Sequence, residues 1–332
     1  MKPNEFMNKN NKPTEATVSR RANLTEVAQI VIVELTTKCN FYCKMCIIHD
    51  IKKPKDINEK VIYNLLENTN SLKSILFVGM GEPTLCNNIM PYIKEIHKKG
   101  IPLIIVTNGS TLKPDLIDLI VKTNTNVVIS FDAATKETFE KIKINADFSS
   151  IMKSIQNINL KKAEIPSSTS KISLRFVAMK SNIEELPSLV HLANSLNIDS
   201  IDVSQINIHY NCREETLERE QFDYYFEIAK ETAEKLSIQL TLDEESTKLN
   251  CSQPFVTIDG KIKVSCNYHC IVGDLNKQSF ENLWNSQKYK DIRDKLTKGE
   301  FPLYVRFNNL INTIKYVYPA AIKVIIRKLS FN

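Results

Sequence analysis

Short apolar runs alternate with stretches of helical length between residues 30 and 206, and this alternation limits the possible folds more than any other feature. The apolar runs are nearly continuous, as is typical of parallel strands that are buried on both faces. Six such runs lie at Ile30–Leu35, Ser74–Val78, Pro102–Thr107, Asn126–Phe131, Lys171–Met179 and Ser200–Gln205. Amphipathic stretches separate them at Asn58–Asn68, Ile89–Lys99, Lys113–Lys122, Lys136–Leu160 (in part) and Ile183–Leu196. The sequence therefore predicts an α/β protein in which six parallel strands form an incomplete barrel with helices outside.

Three cysteines follow the first predicted strand, with three and then two residues between them: Cys39, Cys43 and Cys46. In such sheets the functional groups lie on loops at the carboxyl ends of the strands, so a site is expected here. Thiolates this close together can bind one iron–sulfur cluster, and three ligands leave one iron of a four-iron cluster with an open position. The residues alone also allow buried thiols, a disulfide framework or a zinc site that uses His49.

Composition narrows the class of protein. Of the 332 residues, 42% are hydrophobic and 25% charged, which is typical of a globular protein. No apolar run approaches the ~20 residues that span a bilayer. The polar segment Met1–Asn23 lacks the apolar core of a secretory signal, so we expect a cytoplasmic protein with reduced cysteines. The net charge of +6 lies mostly in the last 32 residues, so a general nucleic-acid-binding surface is not expected.

The turns after the next three predicted strands are rich in glycine and polar residues. They are Gly79–Pro83 (Gly-Met-Gly-Glu-Pro), Thr107–Gly109 (Thr-Asn-Gly) and Ser130–Asp132 (Ser-Phe-Asp). Glycine permits a sharp turn and a close approach of the backbone to a ligand. An acidic side chain at such a turn can accept hydrogen bonds from an ammonium group. These turns belong to the same rim of the predicted barrel as the cysteine loop.

With these four strand ends in the same order, residues 28–206 resemble the radical S-adenosylmethionine (SAM) superfamily, whose signature is CxxxCxxC after the first strand of a partial (β/α)6 TIM-like barrel. The resemblance implies that Cys39, Cys43 and Cys46 bind a 4Fe-4S cluster whose open iron is chelated by SAM. It also implies SAM contacts from Tyr42, Met80, Gly81, Glu82, Ser130, Asp132 and Lys143.

Arg175 is a charged residue inside the fifth predicted strand. If its side chain points into the barrel, it could bind a carboxylate or phosphate of the cofactor or the substrate. If it points outward, it is a surface arginine, and strand alternation alone does not choose between the two.

A second group of cysteines, Cys251, Cys266 and Cys270, surrounds an Asp-Gly turn that predicts a β-hairpin. Residues 249–300 resemble the SPASM or twitch extensions of radical SAM enzymes, which implies one auxiliary 4Fe-4S cluster held by these three cysteines. A further CxxC pair is absent from residues 301–307, so a second auxiliary cluster is not expected. Cys212 could be the fourth ligand, a hydrogen donor to a substrate radical or a buried thiol. His269 could also bind the cluster, or the site could stay open to substrate.

The sequence predicts five segments. They are a flexible N-terminal segment 1–27, the barrel 28–212, a helical connector 213–248, the auxiliary-cluster domain 249–300 and a basic amphipathic tail 301–332. The tail could cap the barrel, bind a partner or lie on an anionic membrane surface. The expected location is therefore the cytoplasm, with a peripheral membrane contact as one alternative.

The resemblance implies that a reducing partner such as flavodoxin or ferredoxin supplies an electron, SAM is cleaved to a 5′-deoxyadenosyl radical, and that radical abstracts a hydrogen atom from a substrate. The first 27 residues are too short and too polar for a separate peptide-binding domain, which favours a small-molecule or carbohydrate substrate and a dehydrogenation or epimerisation. One alternative is a peptide-modifying maturase. Another is a non-catalytic iron–sulfur or zinc protein that transfers electrons or serves as a binding scaffold.

Overall fold

The computed structural model describes residues 28, 30–46, 51–68, 72–206, 212–243, 253–265 and 268–297. Its centre is a ten-stranded sheet, with a two-stranded ribbon beside it. The strands in chain order are β1 (Val31–Val33), β2 (Tyr42–Cys43), β3 (Ile75–Phe77), β4 (Leu103–Thr107), β5 (Asn126–Ser130), β6 (Lys143–Ile144), β7 (Ile172–Ala178), β8 (Ser200–Gln205), β9 (Gln239–Leu242), β10 (Phe255–Val256), β11 (Lys261–Ser265) and β12 (Tyr268–Asp274). The predicted α/β fold class is confirmed.

Eight neighbouring strands of the sheet run parallel, in the order β10-β1-β3-β4-β5-β7-β8-β9. All six predicted strands are among them. A further parallel strand, β9, pairs with β8 and lies within the segment that was predicted to be a helical connector. Its four residues alternate polar and apolar and are followed by acidic residues, so no continuous apolar run marks it in the sequence. The strand–helix alternation therefore continues for one unit beyond residue 206.

The helices of the described ranges lie between the strands and after β12. They are α1 (Glu59–Leu66), α2 (Ile89–Lys98), α3 (Pro114–Lys122), α4 (Lys136–Ile142), α5 (Phe148–Glu164), α6 (Leu186–Ser195), α7 (Arg219–Leu236), α8 (Phe280–Trp284) and α9 (Gln287–Thr297). Side-chain caps fix several starts: the Asn58 side chain accepts a hydrogen bond from the Lys60 backbone N–H at 2.9 Å. The predicted helical stretch 136–160 is two helices with β6 between them. No described helix is long and apolar enough to cross a membrane.

The β7 strand shows how the barrel is layered. Ile172, Leu174 and Phe176 are fully buried and belong to the same hydrophobic core as the inward faces of the helices. The alternate side chains, Ser173 and Arg175 among them, are only partly buried. Because successive side chains of a strand point to opposite faces, Arg175 lies on the barrel's interior face, away from the helices. This decides between the two orientations that the sequence allowed.

The predicted hairpin extends the barrel sheet. β10 pairs in parallel with β1, so that Ile32 lies beside Phe255, and β10, β11 and β12 follow as antiparallel neighbours. Gly260 ends the turn between β10 and β11 with a φ of +75°, a conformation that favours glycine. One sheet therefore contains both the strand that leads to the first cysteine loop and the strands around Cys270.

Candidate active site

The cysteine loop is hydrogen-bonded to the segment that follows β5. β2 pairs antiparallel with β6, which places Cys43 beside Lys143. The Lys44 backbone N–H donates to the Ile142 carbonyl at 3.0 Å, and the Cys46 N–H donates to the Cys43 carbonyl at 3.0 Å. Cys39, Cys43 and Cys46 are all partly exposed, so the loop presents three thiols at the rim of the barrel.

Two of the three thiols are partly withdrawn from solvent, which affects their protonation. Burial raises the pKa of Cys39, and it raises the pKa of Cys43 to about 11 although the Lys143 ammonium opposes it. Such thiols keep their protons at neutral pH unless a cation replaces them, as iron does. Within the described ranges, no three His, Cys, Asp or Glu side chains converge to hold a single metal ion. The thiolates around a 4Fe-4S cluster each bind a different iron and so do not meet at one ion, and three cysteines spaced along one loop fit that donor set.

Glu82 connects the ends of β1, β3 and β4 through hydrogen bonds. Its carboxylate is 3% exposed and accepts hydrogen bonds from the Thr107 hydroxyl at 2.6 Å, the Asn108 N–H at 2.6 Å, and the N–H (3.1 Å) and hydroxyl (2.6 Å) of Thr84. Burial raises the pKa of Glu82 against these hydrogen bonds. The Glu82 backbone N–H donates to the Lys38 carbonyl at 2.7 Å. Oε1 accepts three of these hydrogen bonds and Oε2 accepts one, so Oε2 keeps a free acceptor position.

The loop after β3 lies directly against the start of the cysteine loop. A Cβ on Gly81 would lie 2.4 Å from the carbonyl oxygen of Thr36 and 2.6 Å from that of Lys38, so only glycine fits. The loop after β4 makes contact as well: the side-chain amide of Asn108 donates to Asn40 at 3.0 Å, and that of Asn40 donates to Ser110 at 2.8 Å. The structure thus brings together three of the predicted strand ends around Cys39.

Asp132 and Lys143 form a buried ion pair. Lys143 Nζ lies 2.7 Å from Asp132 Oδ2, and the two side chains are 5% and 2% exposed. The other Asp132 oxygen accepts a hydrogen bond from the Val177 N–H at 2.8 Å, and Asn182 donates to the Asp132 carbonyl at 2.8 Å. Burial lowers the pKa of Lys143, but Asp132 and Cys43 raise it more, so the net shift is upward and the ammonium stays charged. This pair therefore places a cation beside Cys43.

Other predicted residues lie on the rim or on the interior face. Met80 is partly buried, and Tyr42 is 52% exposed on the ribbon opposite Ile144. Ser130 is in register with Arg175, which is in contact with Asp243. Neighbouring strands thus carry polar side chains on the barrel's interior face.

Of the remaining predicted cysteines, the structure describes Cys212 and Cys270. Cys212 is buried, and its Sγ donates to the Lys44 carbonyl at 3.1 Å, so it contacts the first cysteine loop. Cys270 is 2% exposed on β12. Cys251 and Cys266, and the side chain of His269, lie outside the described residues.

Sequence reasoning missed several residues that build the rim. Thr107 and Asn108 were noted only as a turn, although both bind Glu82. Asn40 and Asp56 were not singled out, and Asp56 accepts from Lys38 at 2.8 Å and from Thr36 at 2.7 Å. Glu34 was also missed, although the sequence offered one signal for it: it is a carboxylate that directly follows an apolar strand.

Profiles of two families match the sequence. The Radical SAM superfamily matches residues 33–193, and an iron-sulfur cluster-binding domain, SPASM, matches residues 250–304. The chain belongs to the radical SAM superfamily. It is a radical SAM enzyme with a SPASM extension, and its cofactors are SAM and 4Fe-4S clusters. The predicted family and cofactor class are thereby confirmed.

Two curated relatives show how far the similarity extends. A tungsten-containing aldehyde ferredoxin oxidoreductase cofactor-modifying protein of Pyrococcus furiosus is 27% identical over 183 residues, which is 52% of this chain and 50% of that protein. A probable GTP 3′,8-cyclase of Sulfurisphaera tokodaii is 24% identical over 316 residues, 88% of this chain and 91% of that protein. The first match thus spans half the length of the relative, and the second nearly all of it.

Solved radical SAM structures share the fold. Streptococcus suis SuiB bound to SAM superposes with a TM-score of 0.67 at 14% identity, covering 84% of this chain and 70% of SuiB. SuiB has also been solved with the precursor peptide SuiA. The enzyme anSMEcpe, solved with bound AdoMet and a peptide, superposes with a TM-score of 0.65 at 13% identity and covers 89% of this chain and 98% of its own. At these identities the likeness concerns the fold.

Proposed function

We propose that this radical SAM enzyme abstracts a hydrogen atom from a small-molecule or carbohydrate substrate in a dehydrogenation or epimerisation. The main observation in support of this proposal is that the loops after β3 and β4 contact the cysteine loop. Glu82 of the first loop binds the Lys38 carbonyl, and Asn108 of the second binds both Asn40 and Glu82. In this proposal Cys39, Cys43 and Cys46 hold the 4Fe-4S cluster. When bound, the reduced cluster and SAM supply a 5′-deoxyadenosyl radical, as is general for cofactors that carry the difficult chemistry.

The rim residues would orient SAM. The backbone carbonyls of Met80 and Gly81 would accept hydrogen bonds from the SAM amino group, and Glu82 Oε2, which accepts one hydrogen bond from the Asn108 N–H, would be a further acceptor. Ser130 and Tyr42 would contact the rest of the cofactor. Lys143 is held by Asp132, so in this proposal it acts by its charge beside Cys43 rather than by a fork-like contact with the SAM carboxylate.

The interior face of the barrel supports a substrate with polar groups. Ser130, Arg175 and Asp202 lie in register on β5, β7 and β8, and Asp202 accepts from Thr241 of β9 at 2.5 Å. The same face of β3, β4 and β5 is apolar, with Leu76, Ile104, Val106 and Val128. A hydroxyl-bearing ligand could place its carbon skeleton on the apolar half and its hydroxyls on the polar half.

A peptide substrate is the second candidate, and the solved structures favour it. SuiB and anSMEcpe were both solved with peptides. This chain matches 98% of anSMEcpe, so a peptide can bind a chain with little beyond this fold. The short, polar segment before the barrel is therefore a weak argument against a peptide. The GTP 3′,8-cyclase relatives instead support a small-molecule substrate.

The auxiliary site would hold one further 4Fe-4S cluster through Cys251, Cys266 and Cys270. Since Cys212 contacts the first cysteine loop, a role as a buried thiol or as a hydrogen donor near SAM suits it better than auxiliary ligation. The electron would come from flavodoxin or ferredoxin in the cytoplasm. Membrane contact by residues 301–332 remains a proposal that flotation with vesicles, with and without those residues, would test.

Anaerobic reconstitution followed by dithionite and SAM tests the proposal. We expect 5′-deoxyadenosine, measured by liquid chromatography, and about eight irons per chain if both sites hold four-iron clusters. Replacing Cys39, Cys43 and Cys46 with Ala should remove about four irons and all of the product. Cys86→Ala is the matched control, since Cys86 is a buried thiol outside both groups. Full iron loading without 5′-deoxyadenosine, with and without sugar and peptide substrates, would support the electron-transfer alternative.

A further inference from the structure

A buried carboxylate at the rim of the barrel joins the proposed SAM loop to the hairpin of the SPASM extension. Glu34 directly follows β1 and is 6% exposed. One of its oxygens accepts a hydrogen bond from the backbone N–H of Met80 at 3.1 Å. The other oxygen accepts from the backbone N–H of Ile258 at 3.0 Å, in the turn that follows β10. A single side chain thus binds the backbone on both sides of β1.

The sheet order explains this position. β1 lies between β3 and β10, so the segments that follow those two strands flank Glu34. The Glu34 backbone N–H donates to the Val256 carbonyl at 3.0 Å. On the other side, a Cβ on Gly79 would lie 2.6 Å from Glu34 Cγ, so glycine allows the β3 loop to pack directly on this side chain. Glu34 is therefore held on both sides at close range.

A second contact between the hairpin turn and this rim is weaker. Lys55 pairs with Asp259, but the two side chains are 56% and 61% exposed, and exposed pairs contribute little to stability. Hydrogen bonds to an ionised carboxylate that is buried are stronger. Glu34 is thus the main side-chain connection between the turn and the rim in the part of the chain that is described.

We propose that Glu34 is a positioning residue that couples SAM binding at Met80 and Gly81 to the order of the hairpin. The inference rests on the proposed function, in which the backbone of these two residues faces the SAM amino group. A ligand that fixes the Met80 backbone also fixes its N–H on Glu34, and thereby the second bond to Ile258. Coupling of this kind is reciprocal, so an ordered hairpin strengthens SAM binding by the same factor.

Hydrogen–deuterium exchange of the reconstituted, unreduced full chain tests the coupling, because SAM binds under these conditions without being cleaved. In the wild type we expect SAM to slow exchange across residues 255–262 by about fivefold or more. In Glu34→Gln the side-chain amide accepts only one of the two N–H groups, so the slowing should be lost and SAM affinity should fall by a similar factor. Equilibrium dialysis measures that affinity in the same samples.

Two further variants secure the interpretation. Ile258→Pro removes the hairpin donor, together with the partly buried Ile258 side chain, and places proline at the second position of the turn, where it is favoured, so it should reproduce the loss without altering Glu34. Asp199→Asn is the matched control: Asp199 accepts from the Ile172 N–H at 2.8 Å at the opposite end of the barrel, and its variant should keep the SAM effect.

The outcomes separate this inference from the proposed function. Failure of the wild type to bind SAM would overturn the proposed function. Binding of SAM without slower exchange in the hairpin would overturn the coupling alone. If Glu34→Gln and Ile258→Pro keep the SAM-dependent slowing, Glu34 is not the coupling residue.

Discussion

The buried ion pair between Lys143 and Asp132 allows a quantitative test of how the rim is held together. Lys143→Met removes the charge and keeps most of the volume. Asp132 then remains a buried carboxylate whose described hydrogen-bond donor is the Val177 N–H at 2.8 Å. Removing one partner of a buried pair typically costs about 3–5 kcal/mol, because the other charge is left without compensation. The side-chain exposures of 5% and 2% place this pair in that class.

The cost can be expressed as a melting temperature. With an unfolding entropy of about 2.1 cal/mol/K per residue, 332 residues give about 0.7 kcal/mol/K. A loss of about 3–5 kcal/mol then lowers Tm by about 4–7 °C. The double variant Asp132→Asn/Lys143→Met removes both charges and keeps an oxygen for the Val177 N–H. It should recover most of the loss, since replacing a whole buried pair is often nearly neutral.

Far-UV circular dichroism under anaerobic conditions measures these temperatures, with one scan rate for all variants so that irreversible unfolding affects them equally. The reasoning is refuted if the double variant is as unstable as Lys143→Met, because the cost would then come from lost packing rather than from an uncompensated charge. A shift below about 2 °C for the single variant would likewise indicate a solvated pair of the surface type.

Three further sets of substitutions test the close packing at Gly81, the hydrogen bonds of Glu82 and the docking of the reductant. Gly81→Ala should abolish 5′-deoxyadenosine formation, measured by liquid chromatography, because the new Cβ would meet the Thr36 carbonyl at 2.4 Å. Glu82→Gln should cost about 1–3 kcal/mol in chemical denaturation, since an amide nitrogen cannot accept the hydrogen bonds made to one carboxylate oxygen. Charge reversal at Lys52 and Lys53, both exposed and a few residues after Cys46 in the chain, should slow turnover driven by an acidic flavodoxin about tenfold.

Each of these predictions has its own control. Gly81→Ala should keep its iron, and normal product formation would contradict the close packing of this loop. Glu59→Gln changes an exposed glutamate and should leave stability unchanged; an equal loss would rule out a special role for Glu82. The lysine variant should retain full activity with dithionite. The same reversal at Lys98 and Lys99, at the opposite end of the barrel, should affect neither assay.

The sequence was informative wherever function depends on residues that are close together in the chain. The cysteine spacing and the turns after three strands placed the rim correctly, because the carboxyl ends of parallel strands lie at one edge of a sheet. The six barrel strands were recognisable because strands buried on both faces are continuously apolar. β9 was missed because its four residues lack that signature.

The partners of the charged side chains could not be predicted. Lys143 was expected at the SAM carboxylate, and its pairing with Asp132 depends on the ribbon that folds β6 back on β2. Glu34 was not predicted to be functional, and its donor Ile258 lies 224 residues further along the chain. Arg175 could not be oriented until alternation along β7 was known. Such contacts follow from sheet order and register, which local sequence does not encode.

The pairing of β10 with β1 bears on any attempt to divide this chain. Val31–Val33 has a neighbour on each side, β3 on one and the SPASM hairpin on the other. A truncated barrel that ends before residue 250 would leave the backbone groups of this apolar strand unpaired along one side. Exposed apolar edge strands recruit other chains and aggregate. The isolated radical SAM barrel should therefore be poorly soluble, even though the thiols of its own cysteine loop would all be present.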